Sequence, residues 1–420
     1  MNGKQQTENA APRTSANGPA ADATPLHQRL GVKRRINAAG TLTRLGGSLM
    51  APEVLAAMQE AAASSVDIAE LQNAASARIA AATGAEAGII TSGASAALTL
   101  ATAACIAGWD VARMAALPDT AGMPHRILMA RTQRNSYDHA IRVAGGHIVD
   151  LGHNDRGTGA GIRTLEPWEI DAAIDAQTAA FVFVASEATL ALLPMVLQTV
   201  HAHGLPVIVD AAAQLPPREN LRRFIDAGAD LVLFSGGKAI GGPQSSGILA
   251  GRRALVGSAL VQMMDMDVHP TSWSAVPLID RAALKGIPHH GIGRGFKVGK
   301  EEIAGLLAAL DRFCARDEAA FSAALQQRLQ AIAQALAATP TLSTRLQDGS
   351  ASGVPTLLLQ VHGSAAALSI RLQTGDPPVH LGEGRMDEGL LILNPLTVPS
   401  ADDATLVRCL LAACTHLETP

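Results

Sequence analysis

Two side chains stand where chemistry is most readily done, an acid and an amine. Asp210 closes the apolar run Val207-Ile-Val-Asp210, and Lys238 follows Leu231-Val-Leu-Phe-Ser235-Gly-Gly. Each run is short and apolar, as expected of a strand buried on both faces of a parallel sheet. Parallel neighbours end at the same edge, so the carboxylate and the amine meet there. Singly, each residue has an ordinary role, Asp210 as a helix cap and Lys238 as a solvated loop side chain. Their joint position after two buried strands is harder to explain that way. A desolvated amine loses basicity and becomes a nucleophile towards carbonyl carbon, and a nearby carboxylate can keep a heterocyclic nitrogen protonated. A glycine-rich stretch ending in lysine also suggests a nucleotide P-loop. That reading fails because Ala239, not Ser or Thr, follows Lys238, and the GxxxxG spacing is absent.

Pyridoxal phosphate (PLP) requires such a pair: a lysine for its aldehyde carbon and an acid for its ring nitrogen. Ala211 and Ala212 leave room for a flat ring, and Ser235 can donate to a phosphate. A second element, Thr91-Ser92-Gly93-Ala94-Ser95, lies between a short strand and an Ala/Leu-rich helix. Free N–H groups at a helix start attract phosphate, and Gly93 permits close approach. A third, Arg131-Thr-Gln133-Arg134-Asn-Ser-Tyr137-Asp-His139, follows the next strand and should lie over the ring. Gln133, Arg134, Tyr137 and His139 are its candidates for stacking on the ring or serving the substrate. Ordinary helix packing competes for Tyr137, the single tyrosine. The cofactor set is therefore Ser92, Gly93, Ala94, Gln133, Asp210, Ala212, Ser235 and Lys238, with Lys238, Asp210, Tyr137 and His139 as the catalytic candidates. An amino-acid substrate also needs a cation for its carboxylate, usually a bidentate arginine. Arg44, Arg294 and Arg385 are the candidates.

The elements that must carry these residues can be read from the pattern. Short strands at 88–91, 126–130, 147–151, 180–185, 206–209 and 231–234 alternate with helices. That order gives an α/β chain: a mostly parallel sheet covered by helices, which binds ligands beyond the carboxyl ends of its strands. After residue 300 the pattern turns to amphipathic helices at 301–314 and 318–338, then strand-like runs at 356–361 and 390–393. We read residues 1–24 as a disordered tail and 25–65 as an N-terminal arm and helix. Residues 66–300 form the large cofactor domain, and 301–420 a smaller α+β domain. A net charge of −4 offers no footprint for nucleic acid. The four cysteines are scattered, with no CxxC pair and no histidine cluster, so no metal site is expected. No run has the roughly 20 apolar residues of a membrane span, and the first residues lack the features of a signal peptide, so a cytoplasmic protein is expected.

Several separate stretches resemble one family. They are 36–48, 66–72, 83–87, 91–94, 133–137, 234–239 with 242–246, 265–268, and 291–294 with 297–301, and they span most of 32–305. They resemble the selenocysteine-synthase-like branch of PLP enzymes with the aspartate-aminotransferase fold (fold type I), most nearly the group that includes D-glucosaminate-6-phosphate ammonia lyase. The resemblance implies α,β-elimination of ammonia from a β-hydroxy amino acid, with a racemase or aldolase as the alternative and selenium or sulfur transfer as a weaker one. It also implies a homo-oligomer, with 242–246 reaching a neighbour's cofactor. There are departures. Selenocysteine synthases carry an acid immediately before the lysine, where this chain has Gly237, and no basic tRNA-binding region is evident. The arginine expected near Gly241 in the lyase group is missing, so the resemblance does not fix a phosphate on the substrate.

Overall fold

The computed structural model describes residues 24–153, 165–349 and 353–415. The expected tail lies, but for Thr24, outside the described residues. Twelve strands are described: β1 Ile36–Ala38, β2 Ala87–Thr91, β3 Arg126–Ala130, β4 His147–Leu151, β5 Thr178–Val184, β6 Val207–Asp210, β7 Leu231–Ser235, β8 Gly247–Gly251, β9 Leu342–Gln347, β10 Thr356–Val361, β11 Val379–Leu381 and β12 Leu390–Leu393. Seven form the main sheet, in the order β2-β8-β7-β6-β5-β3-β4. The pairs β7–β6, β6–β5, β5–β3 and β3–β4 are parallel. β8 runs antiparallel to both neighbours, so β2 points the same way as β7. The carboxyl ends of β2, β3, β5, β6 and β7 therefore share one edge.

The sheet is buried as the apolar runs require; Leu231, Val232, Leu233 and Phe234 of β7 have no exposed surface. The outer edge of β2 is satisfied by side chains of the helix Ile68–Thr83. Gln72 accepts from the Ile90 N–H (2.9 Å) and donates to the Ile90 carbonyl (2.7 Å), and Ser76 accepts from the Gly88 N–H (3.0 Å). An edge strand without such cover presents unpaired backbone groups.

Two hydrophobic cores form. The first holds the main sheet and also Ile303, Leu306, Leu310 and Phe313 of the helix Lys300–Ala315. Those positions recur three and four residues apart, which sets them on one helix face. The same helix packs against Pro52–Ala62. The second core gathers Ile36 and Ala38 of β1, Leu329, Ile332 and Leu336 of the helix Glu318–Leu336, strands β10 to β12, and Leu406 and Leu410 of the helix Asp403–Cys414. The helix that begins at Lys300 thus packs with the main sheet, whereas β1, from the N-terminal arm, packs with the C-terminal residues through parallel pairing with β11. Among the described residues, no helix is long and apolar enough to cross a membrane.

Candidate active site

Lys238 lies on the hairpin turn between β7 and β8, beyond the last pair Ser235–Gly247. The turn is closed by its own backbone: Gly236 N–H to Ser246 O, Gly242 N–H to Gly236 O and Gly241 N–H to Lys238 O, each 2.9 Å. Ser48 clamps it from outside. Its N–H donates to the Gly237 carbonyl at 3.1 Å and its hydroxyl to the Lys238 carbonyl at 2.6 Å. This packing also explains the glycine before the lysine. A Cβ at Gly237 would lie 2.6 Å from Gln244 Cα, so the acid found there in selenocysteine synthases has no room.

Asp210 ends β6 and is paired in register with Val184 of β5 and Leu233 of β7. Its Oδ1 accepts the Ala212 N–H at 3.0 Å. Burial pushes the Asp210 carboxyl above the usual carboxylate range, against the pull of that hydrogen bond and of the Lys238 charge. Burial also holds the Lys238 amine below the ordinary lysine value, opposed by Asp210. Each group favours the other's charged form, but desolvation is the larger effect on both.

Gly93, with φ +125°, turns the chain from β2 into the helix Ala94–Ala107. The first hydrogen bond of that helix is from Ala97 N–H to Gly93 O (3.0 Å), and the N–H groups before it lack an intrahelical acceptor. β8 is pressed against this helix start: a Cβ at Gly247 would lie 2.6 Å from Gly93 C and 2.7 Å from Ala94 N. Ser92 is on the same turn, but its hydroxyl donates to the Phe296 carbonyl at 2.7 Å. Ser235 is half-buried at the end of β7.

In the third element, the Gln133 Oε1 accepts the Val184 N–H at 2.9 Å, while its Nε2 is buried without a partner. Val184 is the register partner of Asp210, so this free amide N–H stands one strand away from the carboxylate. Arg134 is held by Asp138 (2.6 Å) and by Asp150. Tyr137 and His139 are exposed. Of the three arginines considered for substrate, Arg385 is bound by Glu388 (3.0 Å) within 385–388, and Arg294 by Asp265 (2.8 Å). Arg44 is the least committed, 3.9 Å from Glu383. Arg294 lines a cavity of about 440 Å³ with Asp265, Lys297 and Lys300. Asp265, Asp267 and His290 could hold a metal ion, but all three are exposed and Asp265 already engages Arg294.

Three residues around Asp210 and the lysine hairpin were not among the candidates: Ser48 and Gln244, although both lie in stretches that carry the family resemblance, and Gln214, which has no local signature. Gln214 donates to the Ala185 carbonyl (2.8 Å) behind Asp210, and Gln244 donates to the Thr43 carbonyl (2.7 Å), tying the lysine hairpin to the N-terminal loop.

An amine of depressed basicity beside a buried carboxylate, free helix-start donors and an orphaned amide N–H fit an aromatic aldehyde that carries a phosphate. The fold is that of the fold type I PLP-dependent enzymes. No family model matches the chain. It is 31% identical to D-glucosaminate-6-phosphate ammonia lyase of Salmonella typhimurium, over 93% of this chain and 98% of that protein. The chain belongs to that lyase's family, within the selenocysteine-synthase-like branch. A solved structure of D-glucosaminate-6-phosphate ammonia-lyase superposes with a TM-score of 0.78 at 30% identity, covering 94% of this chain and all of that one. A further relative, 5'-C-glycyluridine monooxygenase-decarboxylase of a Streptomyces species, is 32% identical over 92% of this chain and 91% of its own length.

Proposed function

We propose that this protein is a PLP-dependent carbon–nitrogen lyase that converts a β-hydroxy amino acid of the D-glucosaminate type to a 2-keto acid and ammonium. The observation that carries the reading is the placement of Asp210 at the end of β6 and of Lys238 just past the end of its neighbour β7, at one sheet edge. The family relationship supplies the reaction class.

In this reading Lys238 and Asp210 hold the cofactor from two sides. Gly93, Ala94 and Ser235 would hold its phosphate, and the unpaired Gln133 Nε2 would be available to donate to the cofactor. Once bound, the cofactor supplies an electron-poor ring that takes up the electron pair left at Cα. Lys238 Nζ, neutral in part because it is desolvated, takes the Cα proton. Asp210, steadied by the Ala212 N–H, keeps a negative charge beneath the site. The β-hydroxyl leaves as water and needs a proton, for which Lys238 Nζ, Tyr137 and His139 are the donors within the reading. Water then returns as ammonium departs, so the overall change is R–CHOH–CH(NH3+)–COO− to R–CH2–CO–COO− plus NH4+. Ser92 acts by fixing the 292–296 turn rather than by touching phosphate. We also infer a cytoplasmic homo-oligomer: Leu42, Leu49, Leu55 and Val66 are large apolar side chains left exposed on this chain, as on a surface that a second copy covers.

The test is a paired assay on purified protein. Borohydride should fix the cofactor to the Lys238 peptide, and D-glucosaminate or its 6-phosphate should release ammonium and keto acid in equal amounts. Labelling of another lysine, or exchange of the Cα proton without ammonium from any D- or L-β-hydroxy amino acid, refutes the lyase reading. Oxygen uptake with carbon dioxide release would instead align the chain with the Streptomyces relative.

A further inference from the structure

Two hydroxyls precede Gly93 at the carboxyl end of β2, and the structure gives them different partners. Ser92 donates to the Phe296 carbonyl at 2.7 Å. Thr91, which has no exposed surface, donates to the Gly93 carbonyl at 2.9 Å. That carbonyl also accepts the first helical N–H, from Ala97, at 3.0 Å. A carbonyl oxygen has two lone pairs, so both are used.

These two bonds fix a peptide that is otherwise free to turn. Gly93 stands at φ +125° and has no Cβ to limit rotation. The Gly93–Ala94 bond is trans, so its N–H points away from its carbonyl. With the carbonyl held by Ala97 and Thr91, the Ala94 N–H is turned out of the helix start, where it has no acceptor within the helix. A flipped peptide would lose both bonds and aim its oxygen at an incoming anion. The strand that carries Thr91 is itself anchored. Gln72 bonds the N–H and the carbonyl of Ile90, one residue earlier. On the other side Thr91 pairs with Gly247, where a Cβ would come within 2.7 Å of Ala94 N.

We propose that Thr91 is a positioning residue for the cofactor's phosphate: its hydroxyl holds the Gly93–Ala94 peptide with the N–H turned towards the anion, and it touches no ligand itself. This rests on the reading of the helix start as the phosphate cup and of Lys238 as the cofactor lysine, and it is independent of the reaction that follows.

The experiment compares two aldehydes on the full chain freed of cofactor. They are PLP and pyridoxal, which has the same ring and aldehyde without the phosphate. Binding is followed by the absorbance of the bound aldehyde. Thr91→Val removes the hydroxyl and keeps the shape, and the Gly93 carbonyl retains Ala97, so no buried group is orphaned. The variant should raise the half-saturating concentration of PLP roughly three- to tenfold, the worth of one hydrogen bond, and leave that of pyridoxal unchanged. Thr91→Ser should bind PLP as wild type does. Equal weakening of both aldehydes would make Thr91 a merely structural residue and overturns the proposal. So does an unchanged PLP affinity, or a loss selective for PLP in Ser92→Ala but not in Thr91→Val. A wild type that binds the two aldehydes equally removes the phosphate cup and the proposal with it. Borohydride labelling away from Lys238 would refute the cofactor lysine, while a selective loss in Thr91→Val would still support the cup.

Discussion

Replacing Gly237 by alanine tests whether the lysine is positioned by the turn beneath it. The added Cβ would lie 2.6 Å from Gln244 Cα and 3.0 Å from the Gln244 carbonyl oxygen, both backbone atoms that no rotamer change can move. Nor can the turn shift freely the other way, because Ser48 is bonded to the carbonyls of both Gly237 (3.1 Å) and Lys238 (2.6 Å). Overpacking of this kind costs about 1–3 kcal/mol. The larger effect should be on catalysis, since a displacement of order 1 Å in a reacting group lowers rate by roughly a hundredfold. Gly241→Ala is the control. That residue has φ +77° but nothing within 4 Å of its Cβ, so it should show backbone strain of about 1–2 kcal/mol with a smaller loss of turnover. Thermal melts and kcat on cofactor-saturated protein separate the two. A Gly237→Ala enzyme with wild-type melting temperature and kcat would show that the clamp does not position Lys238.

Asp210→Asn should act in opposite directions on activity and on the cofactor-free fold. Turnover should fall by orders of magnitude, as an amide cannot balance the charge the reaction needs, and near-normal turnover would refute the role. In the cofactor-free protein the carboxyl's folded pKa is raised, so wild type has the full contribution of this group in acid and loses it as pH rises through the raised value. The variant should therefore melt higher than wild type at neutral pH, with the advantage vanishing in acid; an advantage independent of pH would rule out Asp210 as its source. Arg134→Gln should lower stability by about 2–4 kcal/mol, because Asp138 is buried and would lose its cation. Cofactor absorbance should be retained at saturation, and its loss would return Arg134 to the ring.

The parts of this site that were legible in the sequence are those set by local pattern. Apolar runs bounded by polar residues reveal the strands that carry Asp210 and Lys238, since a strand buried on both faces admits little else. β8 is hidden because Gly247-Ile-Leu-Ala-Gly251 follows a glycine-rich turn and reads as its continuation. β9 is hidden because half of Leu342–Gln347 faces outward at a sheet edge, and β11 because three residues give no period. The arginines divide by the same rule. Arg385 and Glu388 are three apart, a visible pairing, but nothing local joins Arg294 to Asp265. The pairing of β11 with β1 joins residues far apart in sequence, and no spacing announces it.

The β1–β11 pairing has a consequence for synthesis. Ile36 is made long before its partner Val379, which lies far downstream in the chain. At roughly 5–20 residues per second, β1 waits on the order of tens of seconds for the strand that completes its sheet. During that interval the main sheet and its lysine hairpin are already made, but Ile36 and Ala38 have no second core to enter. The nascent chain must carry an unpaired apolar strand joined directly to the loop that clamps Lys238. Chaperone capture should therefore centre on the segment that carries β1 and end once β11 has left the ribosome.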